Sequence, residues 1–592
     1  MDSGQYRKRK RLGRPLSYTQ FLFSPRTLFL CLSFFVFLLF LSSDRFSIGA
    51  SSLRPALGAS NLSLLYSSAS NSILDSFSTR LLPLRVEHRI LFPDHVLLMV
   101  NGKIRRSQEL ECVYYKLFNG SDEGKPQLAD VQPVLSTDEY DVSRSVVRCP
   151  IPQSNFSSAA VDLRLRGEMG RGNWYFRSNQ TAISWDKLAY EARLDGDTVL
   201  VFVKGLNLRP HKISDPSHFR CHFGLRNLDK DNGFLLTTKA VSVAQEVVRC
   251  LLPRTIRNKP GKAQGIRVTV SHLTGHIRRP VWTLVPSVAR VHSTNAEAKR
   301  NRVKHELCVC TMVWNQASAL REWIMYHAWL GVEKWFIYDN NSDDDIEKVV
   351  QDLDLQGYNV NRKSWPWIKT QESGFSHCAL AAREECNWVG FFDVDEFFYF
   401  PKEFRSQLGQ GLPGENSLRS LVANFSSSTT IGEIRTACHS FGPSGLSSPP
   451  KQGVTIGYTC RLQSPERHKS IVRPDMLDIS LLNVVHHFQL REGYRCLNIP
   501  ESSAIINHYK YQVWDTFKAK FFRRVATYVV DWQEDQNKGS KDRAPGLGTE
   551  AIEPVNWRLQ FCEVWDTGLK DFLISSFADP ATGMLPWEKS SL

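Results

Sequence analysis

The sequence predicts an α/β domain with a Rossmann-like, mostly parallel sheet, preceded by a β-sandwich-type domain and an N-terminal membrane anchor helix. Three observations support this: an apolar run near the amino terminus, short β-branched segments with an echo of paired cysteines, and alternating strand and helix patterns from residue 305 onward. The 592 residues are enough for about three domains. Each pattern occupies its own part of the chain, so a modular organisation is expected.

The amino-terminal segment predicts a membrane anchor. Residues 1–26 form a basic tail and residues 27–43 are almost wholly apolar. About 17 helical residues span ~26 Å, near the lower limit for a bilayer, and the positive-inside rule keeps the basic tail in the cytoplasm. A cleaved signal peptide is the alternative, although its apolar region would be shorter and no Ala-x-Ala site follows. The short span suits a Golgi membrane, with a single-pass type II topology and a lumenal remainder.

Cysteines and sequons agree with a lumenal location. Thirteen cysteines are present, and disulfides persist in an oxidising compartment. The net charge of +14 does not indicate nucleic acid there; acidic polysaccharide, anionic membrane, nucleotide phosphates or a plain basic surface remain open. Asn340 matches the sequon but is expected to line a pocket, so no glycan is expected on it. The predicted glycosylation sites are Asn61, Asn119, Asn155, Asn179 and Asn424.

Two weakly patterned segments flank a β-rich stretch. Residues 44–85 are rich in Ser, Leu and Ala without a lasting period, which predicts a stem. Residues 86–285 contain short β-branched runs separated by turn residues, such as Thr198-Val-Leu-Val-Phe-Val203. Residues 286–304 are polar and basic and predict a linker. The middle stretch is therefore expected to be a separate β domain.

A cysteine echo inside this stretch predicts two related β units. Cys112 is followed by Val146-Val-Arg-Cys149, and Cys221 is followed by Val247-Val-Arg-Cys250. The similar spacing predicts the disulfides Cys112–Cys149 and Cys221–Cys250 in one or two small β-sandwiches. The eight cysteines beyond residue 300 allow 105 pairings, which the sequence leaves open.

From residue 305 up to Asp393, strand and helix patterns alternate, which predicts a parallel sheet with crossover helices. The domain is expected to cover residues 305–592. Apolar residues recur at helical spacing from Leu320 to Ala328, and Ser342 is placed to cap the next helix. The predicted strands cover residues 307–314, 334–338, 359–364 and the run before Asp393, and the predicted helices cover 320–328, 346–353 and 372–386.

The segment Trp388-Val-Gly-Phe-Phe-Asp-Val-Asp-Glu-Phe-Phe398 carries the strongest chemical signal. Side chains alternate along a strand, so Asp393 and Asp395 are expected on one face at its carboxyl end, where open α/β sheets bind ligands. Two adjacent carboxylates repel unless a cation lies between them, and Mg²⁺ and Mn²⁺ prefer oxygen ligands. A solvated acidic loop is the alternative, but the flanking aromatics disfavour it. The pattern predicts a metal site that reaches nucleotide phosphates.

Four further residues are candidate ligands of a nucleotide or of its metal. Asp339 and Asn341 end the second predicted strand, where a carboxylate can accept hydrogen bonds from ribose or base; a plain helix cap is the alternative. His508 follows an apolar run and is a candidate metal or phosphate ligand, with a structural role as the alternative. Lys469 offers a cation for a leaving diphosphate, with a solvated basic turn as the alternative. Gly-x-x-x-x-Gly-Lys-Ser/Thr, His-Glu-x-x-His and Gly-x-Ser-x-Gly patterns are absent from the sequence.

These segments resemble glycosyltransferase family 92 over roughly residues 305–530. The resemblance implies a GT-A fold, a UDP-galactose donor, dependence on Mn²⁺ (or Mg²⁺) and inversion at the anomeric carbon. It implies that Asp393 and Asp395 bind the metal and that His508 supplies a further metal or diphosphate contact. The motifs that carry it are Glu322-Trp-Ile-Met-Tyr-His327, Gly331-Val-Glu-Lys-Trp-Phe-Ile-Tyr-Asp-Asn-Asn-Ser-Asp343, Phe392-Asp-Val-Asp-Glu-Phe397, Lys469-Ser-Ile-Val-Arg-Pro474 and Asn507-His-Tyr509.

With its tail, anchor and β region, the whole chain also resembles plant galactan β-1,4-galactosyltransferases. This resemblance implies a carbohydrate-binding β domain and transfer of galactose to the 4-hydroxyl of β-1,4-galactan, a pectin side chain. His439 and Asp478 are candidates for the base, with structural roles as the alternative. Other readings are a transferase of the same fold acting on glycoprotein glycans and a non-catalytic glycan-binding protein. UDP-arabinopyranose is an alternative donor, and a homo-oligomer is left open.

Overall fold

The computed structural model describes residues 85–104, 110–116, 127–152, 161–166, 182–206, 208–224, 234–274, 281–293, 303–401, 414–484, 486–520 and 553–589. The predicted tail, membrane span and nearly all of the stem lie outside these residues. Among the residues described, no helix is long and apolar enough to cross a membrane.

Within the described residues, the β region contains short strands and the short helix α1 (Arg254–Arg257). Its strands are β1 Arg85–Leu91, β2 His95–Asn101, β3 Leu110–Lys116, β4 Gln127–Pro133, β5 Ser136–Glu139, β6 Arg144–Pro150, β7 Val161–Leu165, β8 Ile183–Ser184, β9 Ala189–Asp195, β10 Thr198–Val203, β11 Ile213–Ser214, β12 Phe219–Gly224, β13 Phe234–Ala244, β14 Val247–Leu251, β15 Val268–Thr274, β16 Val281–Leu284 and β17 Val291–His292. They form a five-stranded sheet in the order β5-β6-β2-β1-β8, a three-stranded sheet in the order β4-β3-β7, and a nine-stranded sheet from β16 to β17 in which β11 pairs with β13.

Two disulfides lie in the apolar cores of this region. Cys112 on β3 bonds to Cys149 on β6, and so joins the three-stranded sheet to the five-stranded sheet. Cys221 on β12 bonds to Cys250 on β14 in the nine-stranded sheet. These are the pairs that the cysteine spacing predicts. The β-sheet region is thus present, while its classification as a β-sandwich-type, carbohydrate-binding domain stays a prediction.

The predicted linker at residues 286–304 is wrong in its first half. Val288, Ala289 and Val291 are buried in the cores of the β region, and β17 pairs with β9. The polar composition of the segment concealed these few apolar anchors. Residues 294–302 lie outside the described residues.

The α/β region follows from residue 303 onward. Its strands are β18 His305–Val313, β19 Lys334–Asp339, β20 Val360–Ser364, β21 Cys386–Phe391, β22 Glu396–Tyr399, β23 Ile431–Ser440, β24 Cys460–Arg461, β25 Arg467–Val472, β26 Asn483–Val484, β27 His487–Phe488, β28 Arg495–Asn498, β29 Ile505–His508 and β30 Val564–Trp565. Its helices are α2 Ala317–Trp329, α3 Ile346–Leu355, α4 Gln371–Ala382, α5 Ser417–Ser426, α6 Val454–Gly457 and α7 Gly568–Ser576.

The main sheet of this region is mixed, and most of its strand pairings are parallel, as the sequence predicts. Its order is β20-β19-β18-β21-β25-β23-β29-β22, with β28 beside β23. The first four strands are parallel, as the alternating pattern predicts. β25 runs antiparallel to both β21 and β23, and β22 runs antiparallel to β29. The predicted alternation of strands and helices ended with the strand before Asp393, so it gave no information on the direction of the later strands.

Two predicted helix boundaries are also wrong. The helix predicted for residues 372–386 ends at Ala382, because Cys386 already pairs with His305 as the start of β21. Ser342 does not cap α3, which begins at Ile346 with Asp345 in the capping position. Instead, the Ser342 hydroxyl accepts a hydrogen bond from the Asn315 N–H at 2.9 Å.

The β region and the α/β region belong to one compact unit. Phe202 of β10 contacts Trp365 edge-on, with 6.3 Å between ring centroids, and the Tyr190 hydroxyl lies 2.7 Å from the Ser373 hydroxyl on α4. Arg383 binds Asp195 across the same boundary at 3.0 Å. The two parts therefore share a core instead of being joined by a tether.

Candidate active site

A tight turn carries the two aspartates. β21 ends at Phe391 and β22 begins at Glu396, so strand alternation does not orient Asp393 and Asp395 as predicted. The Glu396 N–H donates to the Asp393 carbonyl at 3.1 Å, and the Asp393 N–H donates to Glu396 Oε2 at 3.0 Å. These two hydrogen bonds close the turn and direct both carboxylates into one cluster.

Three carboxylates meet at this turn. Ligand oxygens of Asp393, Asp395 and Glu396 all lie within 4.8 Å of one another. Glu396 has no exposed side-chain surface, whereas the Asp393 side chain is 27% exposed. The sequence reasoning missed Glu396, although it is the third acid of the motif, because alternation would point it away from the pair. The turn brings it back.

Two lysines neutralise the aspartates. The Lys469 Nζ lies 3.1 Å from Asp393 Oδ2 and 2.7 Å from Glu396 Oε1, and the Lys520 ammonium pairs with Asp395. Burial alone would raise the pKa of Asp393, but the Lys469 charge outweighs it and holds that pKa below its usual range. Burial likewise opposes ionisation of Asp395, yet Lys520 and His508 lower its pKa. Both aspartates are therefore ionised at neutral pH.

Glu396 behaves differently from its neighbours. Burial raises its pKa to about 8, the Lys469 charge opposes this, and the two aspartates add to it. Adjacent like charges cannot all ionise in a site of low polarity. Glu396 therefore holds a proton near neutral pH in the absence of a metal cation.

His508 stands at the end of β29, beside the same cluster. It pairs with Glu396 of β22 on one side and with Ser440 of β23 on the other. Its Nε2 lies 3.4 Å from Asp395 Oδ2, and its Nδ1 lies 3.7 Å from Glu396 Oε1. Burial lowers the pKa of His508 to about 4, so the ring is neutral and can donate a lone pair to a metal.

The residues present fit a divalent cation. Carboxylate oxygens are the preferred ligands of Mg²⁺ and Mn²⁺, and a neutral imidazole suits Mn²⁺. The oxygen-rich group is formed by Asp393, Asp395 and Glu396; a second group within the same distance limit consists of Glu396, Cys438 and His508. The structure thus brings all three predicted metal ligands to one place, with His508 adjoining Asp395 and not Asp393.

Helix α2 anchors this turn through hydrogen bonds to the backbone of β22. On α2, Trp323 Nε1 donates to the Glu396 carbonyl at 3.0 Å, and the Tyr326 hydroxyl donates to the Phe398 carbonyl at 2.5 Å. His327 Nε2 accepts from the Phe398 N–H at 3.5 Å. The motif Glu322-Trp-Ile-Met-Tyr-His327 therefore acts through β22, because it anchors the strand that begins at the carboxylate cluster.

Asp339 and Asn341 lie on the same sheet edge but outside the carboxylate cluster. β18 separates β19 from β21, which corresponds to about 10 Å at ordinary strand spacing. Asp339 is buried, accepts from Arg362 Nε at 2.8 Å and accepts from the Ser342 N–H at 3.0 Å. Asn341 donates to the Pro366 carbonyl at 3.1 Å. Both already have protein partners that fix the loop after β19.

A cavity of about 110 Å³ adjoins this loop, and both regions of the protein line it. Arg362 joins the two sides, because its guanidinium binds Asp339 at 2.7 Å and Asp138 of β5 at 2.6 Å. Arg148 of β6 binds Asp343 at 2.8 Å. Sequence reasoning could not find Asp138 or Arg148, since the β region was expected to be separate.

The two candidate bases have structural partners. His439 Nε2 lies 2.9 Å from Glu501 Oε2, and its Nδ1 accepts from Arg461 at 3.0 Å. Asp478 accepts from the Ser480 N–H at 2.9 Å within a local turn. Neither residue shares a hydrogen bond with the carboxylate cluster.

Glu466, which the sequence reasoning missed, is linked to the strand beside His508. It accepts a hydrogen bond from Ser440, the residue paired with His508 on the neighbouring strand. Lys510 Nζ donates to the same carboxylate at 3.1 Å, and 31% of the Glu466 side chain is exposed. Burial would raise the pKa of Glu466, but hydrogen bonds from Ser440 and the Lys510 charge lower it. No sequence pattern marks it, because it precedes a strand in an exposed polar loop.

The α/β region also contains free cysteines, disulfides and two of the Asn-x-Ser/Thr sequons. Cys438 and Cys496 are free thiols among the described residues. Asn424 is exposed on α5, which is compatible with a glycan; the other four predicted sites lie outside the described residues. Asn340 donates its side-chain amide to Trp365 and Trp367 carbonyls and is buried. Disulfides of this region join Cys308 to Cys386, Cys310 to Cys378 and Cys460 to Cys562.

Comparisons with known proteins agree with the motifs. The model of glycosyltransferase family 92 matches residues 303–559. A family 92 protein of Ricinus communis is 62% identical and covers all of both chains, and one of Arabidopsis thaliana is 55% identical over 98% of each. The chain therefore belongs to glycosyltransferase family 92. The galactan β-1,4-galactosyltransferase GALS1 of Arabidopsis thaliana is 27% identical over 19% of this chain and 22% of its own length.

Proposed function

We propose that this protein is a metal-dependent, inverting galactosyltransferase with a GT-A-like catalytic domain. The observation that carries the proposal is the cluster of Asp393, Asp395, Glu396 and His508 at the carboxyl end of β21, in a chain of a glycosyltransferase family. Ligands of open α/β sheets bind at this edge, and hard oxygen donors suit Mn²⁺ or Mg²⁺.

The charges of the cluster support a nucleoside diphosphate donor. The two aspartates are balanced by Lys469 and Lys520, while Glu396 and His508 are neutral near pH 7. A divalent cation held by Asp393, Asp395 and His508 would give the site a surplus of two positive charges and would stabilise the leaving diphosphate. The diphosphate of a UDP-sugar matches that surplus.

The base of the reaction is proposed to be Glu466. An inverting transfer needs a carboxylate that takes the proton of the acceptor hydroxyl as this oxygen attacks the anomeric carbon. Glu466 is ionised, partly exposed and linked through Ser440 to the strand beside His508. The side chains of His439 and Asp478, the two bases that the sequence suggests, bind Glu501, Arg461 and Ser480.

The acceptor and the location belong to the same proposal. UDP-galactose as donor and β-1,4-galactan as acceptor are supported by the motif resemblance and by the short likeness to the galactan β-1,4-galactosyltransferase of Arabidopsis thaliana. The apolar segment at residues 27–43, the basic tail and the sequons support a Golgi type II membrane protein with a lumenal catalytic domain. The β region is proposed to contact the polysaccharide.

The test is galactose transfer from UDP-galactose to galacto-oligosaccharides, with and without Mn²⁺. Asp393→Asn and Asp395→Asn should abolish transfer and weaken Mn²⁺ binding while the protein stays folded. Asp354→Asn, at an exposed carboxylate on α3, is the matched control and should leave both unchanged. Full activity of the Asp393 variant would contradict the metal site.

An acceptor screen with oligosaccharides of defined linkage separates the remaining readings. Transfer to glycoprotein glycans in place of β-1,4-galactan would keep the catalytic proposal and reject its acceptor. Binding of galactan without turnover of UDP-galactose would favour a non-catalytic glycan-binding protein.

A further inference from the structure

The two lysines of the carboxylate cluster have different surroundings. The Lys469 side chain is 5% exposed, and its ammonium already contacts Asp393, Glu396 and His486. The Lys520 side chain is 21% exposed and pairs with Asp395. Lys469, which the sequence suggested as the cation for a diphosphate, is enclosed by protein groups. Lys520 is the cation of this pair that a ligand can reach.

The segment that leads to Lys520 is anchored at two places before it. At its start, the Tyr509 N–H donates to the Asp395 carbonyl at 2.8 Å. Near its end, Phe517 packs on Trp557 with 4.6 Å between ring centroids, and Tyr511 belongs to the same apolar cluster. Residues 514–520 form a helical turn, so Lys520 lies one turn beyond the buried Phe517. Packing thus directs the ammonium towards the carboxylates.

We propose that Lys520 is a catalytic residue that binds the diphosphate of the donor beside the metal cation. This inference rests on the proposed function. As the bond between the anomeric carbon and the diphosphate oxygen breaks, its electron pair goes to that oxygen, and the ammonium compensates the negative charge that develops there. Lys469 then serves a different purpose: it holds Asp393 and Glu396 in place.

The experiment measures binding of UDP, UMP and uridine to the purified full chain by calorimetry, with Mn²⁺ present. Lys520→Ala should weaken UDP binding about 10- to 100-fold, the value of one charge-assisted hydrogen bond. Uridine affinity should change little, because uridine lacks phosphate. Lys520→Arg should restore most of the UDP affinity. Lys518→Ala, at an exposed lysine of the same turn, is the matched control and should bind UDP normally.

Other results would overturn the assignment. Unchanged UDP affinity in Lys520→Ala, or an equal loss for uridine, would show that Lys520 does not bind the diphosphate. Titration of Lys520→Ala with Mn²⁺ in the absence of nucleotide provides a second readout. If this variant binds Mn²⁺ more tightly but binds UDP with unchanged affinity, Lys520 only occupies the place of the cation. These results leave the proposed function standing, whereas absence of Mn²⁺-dependent UDP binding to the unmodified protein would reject both.

Discussion

The buried carboxylate of Glu322 offers a sharp test of how the family motif works. It accepts hydrogen bonds from the Val454 N–H at 2.9 Å, the Thr455 N–H at 3.0 Å and the Thr455 hydroxyl at 2.6 Å, and so it binds the start of α6 to α2. Glu322→Ala leaves two buried donors and one half-buried donor without this partner, and each buried donor costs about 1–3 kcal/mol. Removing a buried carboxyl group returns part of that loss. The expected net destabilisation is about 3 kcal/mol.

The assay is urea unfolding of the purified protein, followed by tryptophan fluorescence. Gly453→Ala should act on the same contact, because Gly453 has φ +109° and an added Cβ would lie 2.5 Å from the Glu322 carboxyl carbon. The exposed Asp354→Ala on α3 is the control and should leave the midpoint unchanged. If Glu322→Ala has the same urea midpoint as the unmodified protein, the hydrogen bonds between Glu322 and the start of α6 do not stabilise the fold, and this prediction is wrong.

The pH dependence of this contact has a defined sign. Burial raises the pKa of Glu322 above its ordinary value, and the hydrogen bonds from Thr455 and Val454 oppose this only in part. The folded state therefore binds the proton more tightly than the unfolded chain does. The contribution of Glu322 to the free energy of unfolding is full at pH values below its pKa in the unfolded chain. It is lost as the pH rises through its pKa in the folded protein. Glu322→Gln should remove this dependence.

Three further outcomes are expected. Replacing Cys308 and Cys386 by Ser leaves the Cys310–Cys378 disulfide closed, so it frees only the roughly ten residues that lie between the two disulfides; it should cost about 3 kcal/mol by the loop-entropy estimate, and an unshifted urea midpoint would contradict this. Burial lowers the pKa of His327 from 6.5 to about 3. The free energy of unfolding should therefore be at its full value above pH 6.5 and lower by about 2 kcal/mol at pH 5. His327→Gln should lack this pH dependence when urea unfolding is measured at both pH values. Glu466→Gln should lower kcat at least about 100-fold with little change in the KM for UDP-galactose; a normal kcat would exclude Glu466 as the base.

The parallel half of the main sheet was predictable because its sequence period carries the information. Apolar residues at helical spacing from Leu320 onward predict α2, and the run before Asp393 predicts β21. Residues of both elements lie in one buried apolar cluster, so composition and burial agree. The antiparallel strands after Phe392 could not be predicted in direction, because their pairing depends on contacts between residues far apart in the chain, such as Glu396 with His508.

The sequence pointed to only part of the site: it marked the two aspartates, Lys469 and His508, but not Glu396, Glu466 or Lys520. Asp393 and Asp395 stand out because carboxylates are rare within an apolar run. Lys520 follows ordinary helical residues and reaches Asp395 only through folding. Glu466 likewise becomes a candidate only when Ser440 and His508 are found on adjacent strands. A charged residue in a polar context carries no local signal, and its role is set by tertiary contacts.

Contacts between the β region and the α/β region help to position the loop after β19, next to the proposed donor site. Arg362 on β20 binds Asp339 at the end of β19 and also binds Asp138 of the β region. Asp339 without that guanidinium would be a buried, unpaired carboxylate, which is costly. Asp138 in turn fixes Arg362 from outside the α/β region. The loop after β19, next to the proposed donor site, is therefore held by both regions, and the β region acts as part of the structural support for catalysis besides any contact it makes with polysaccharide.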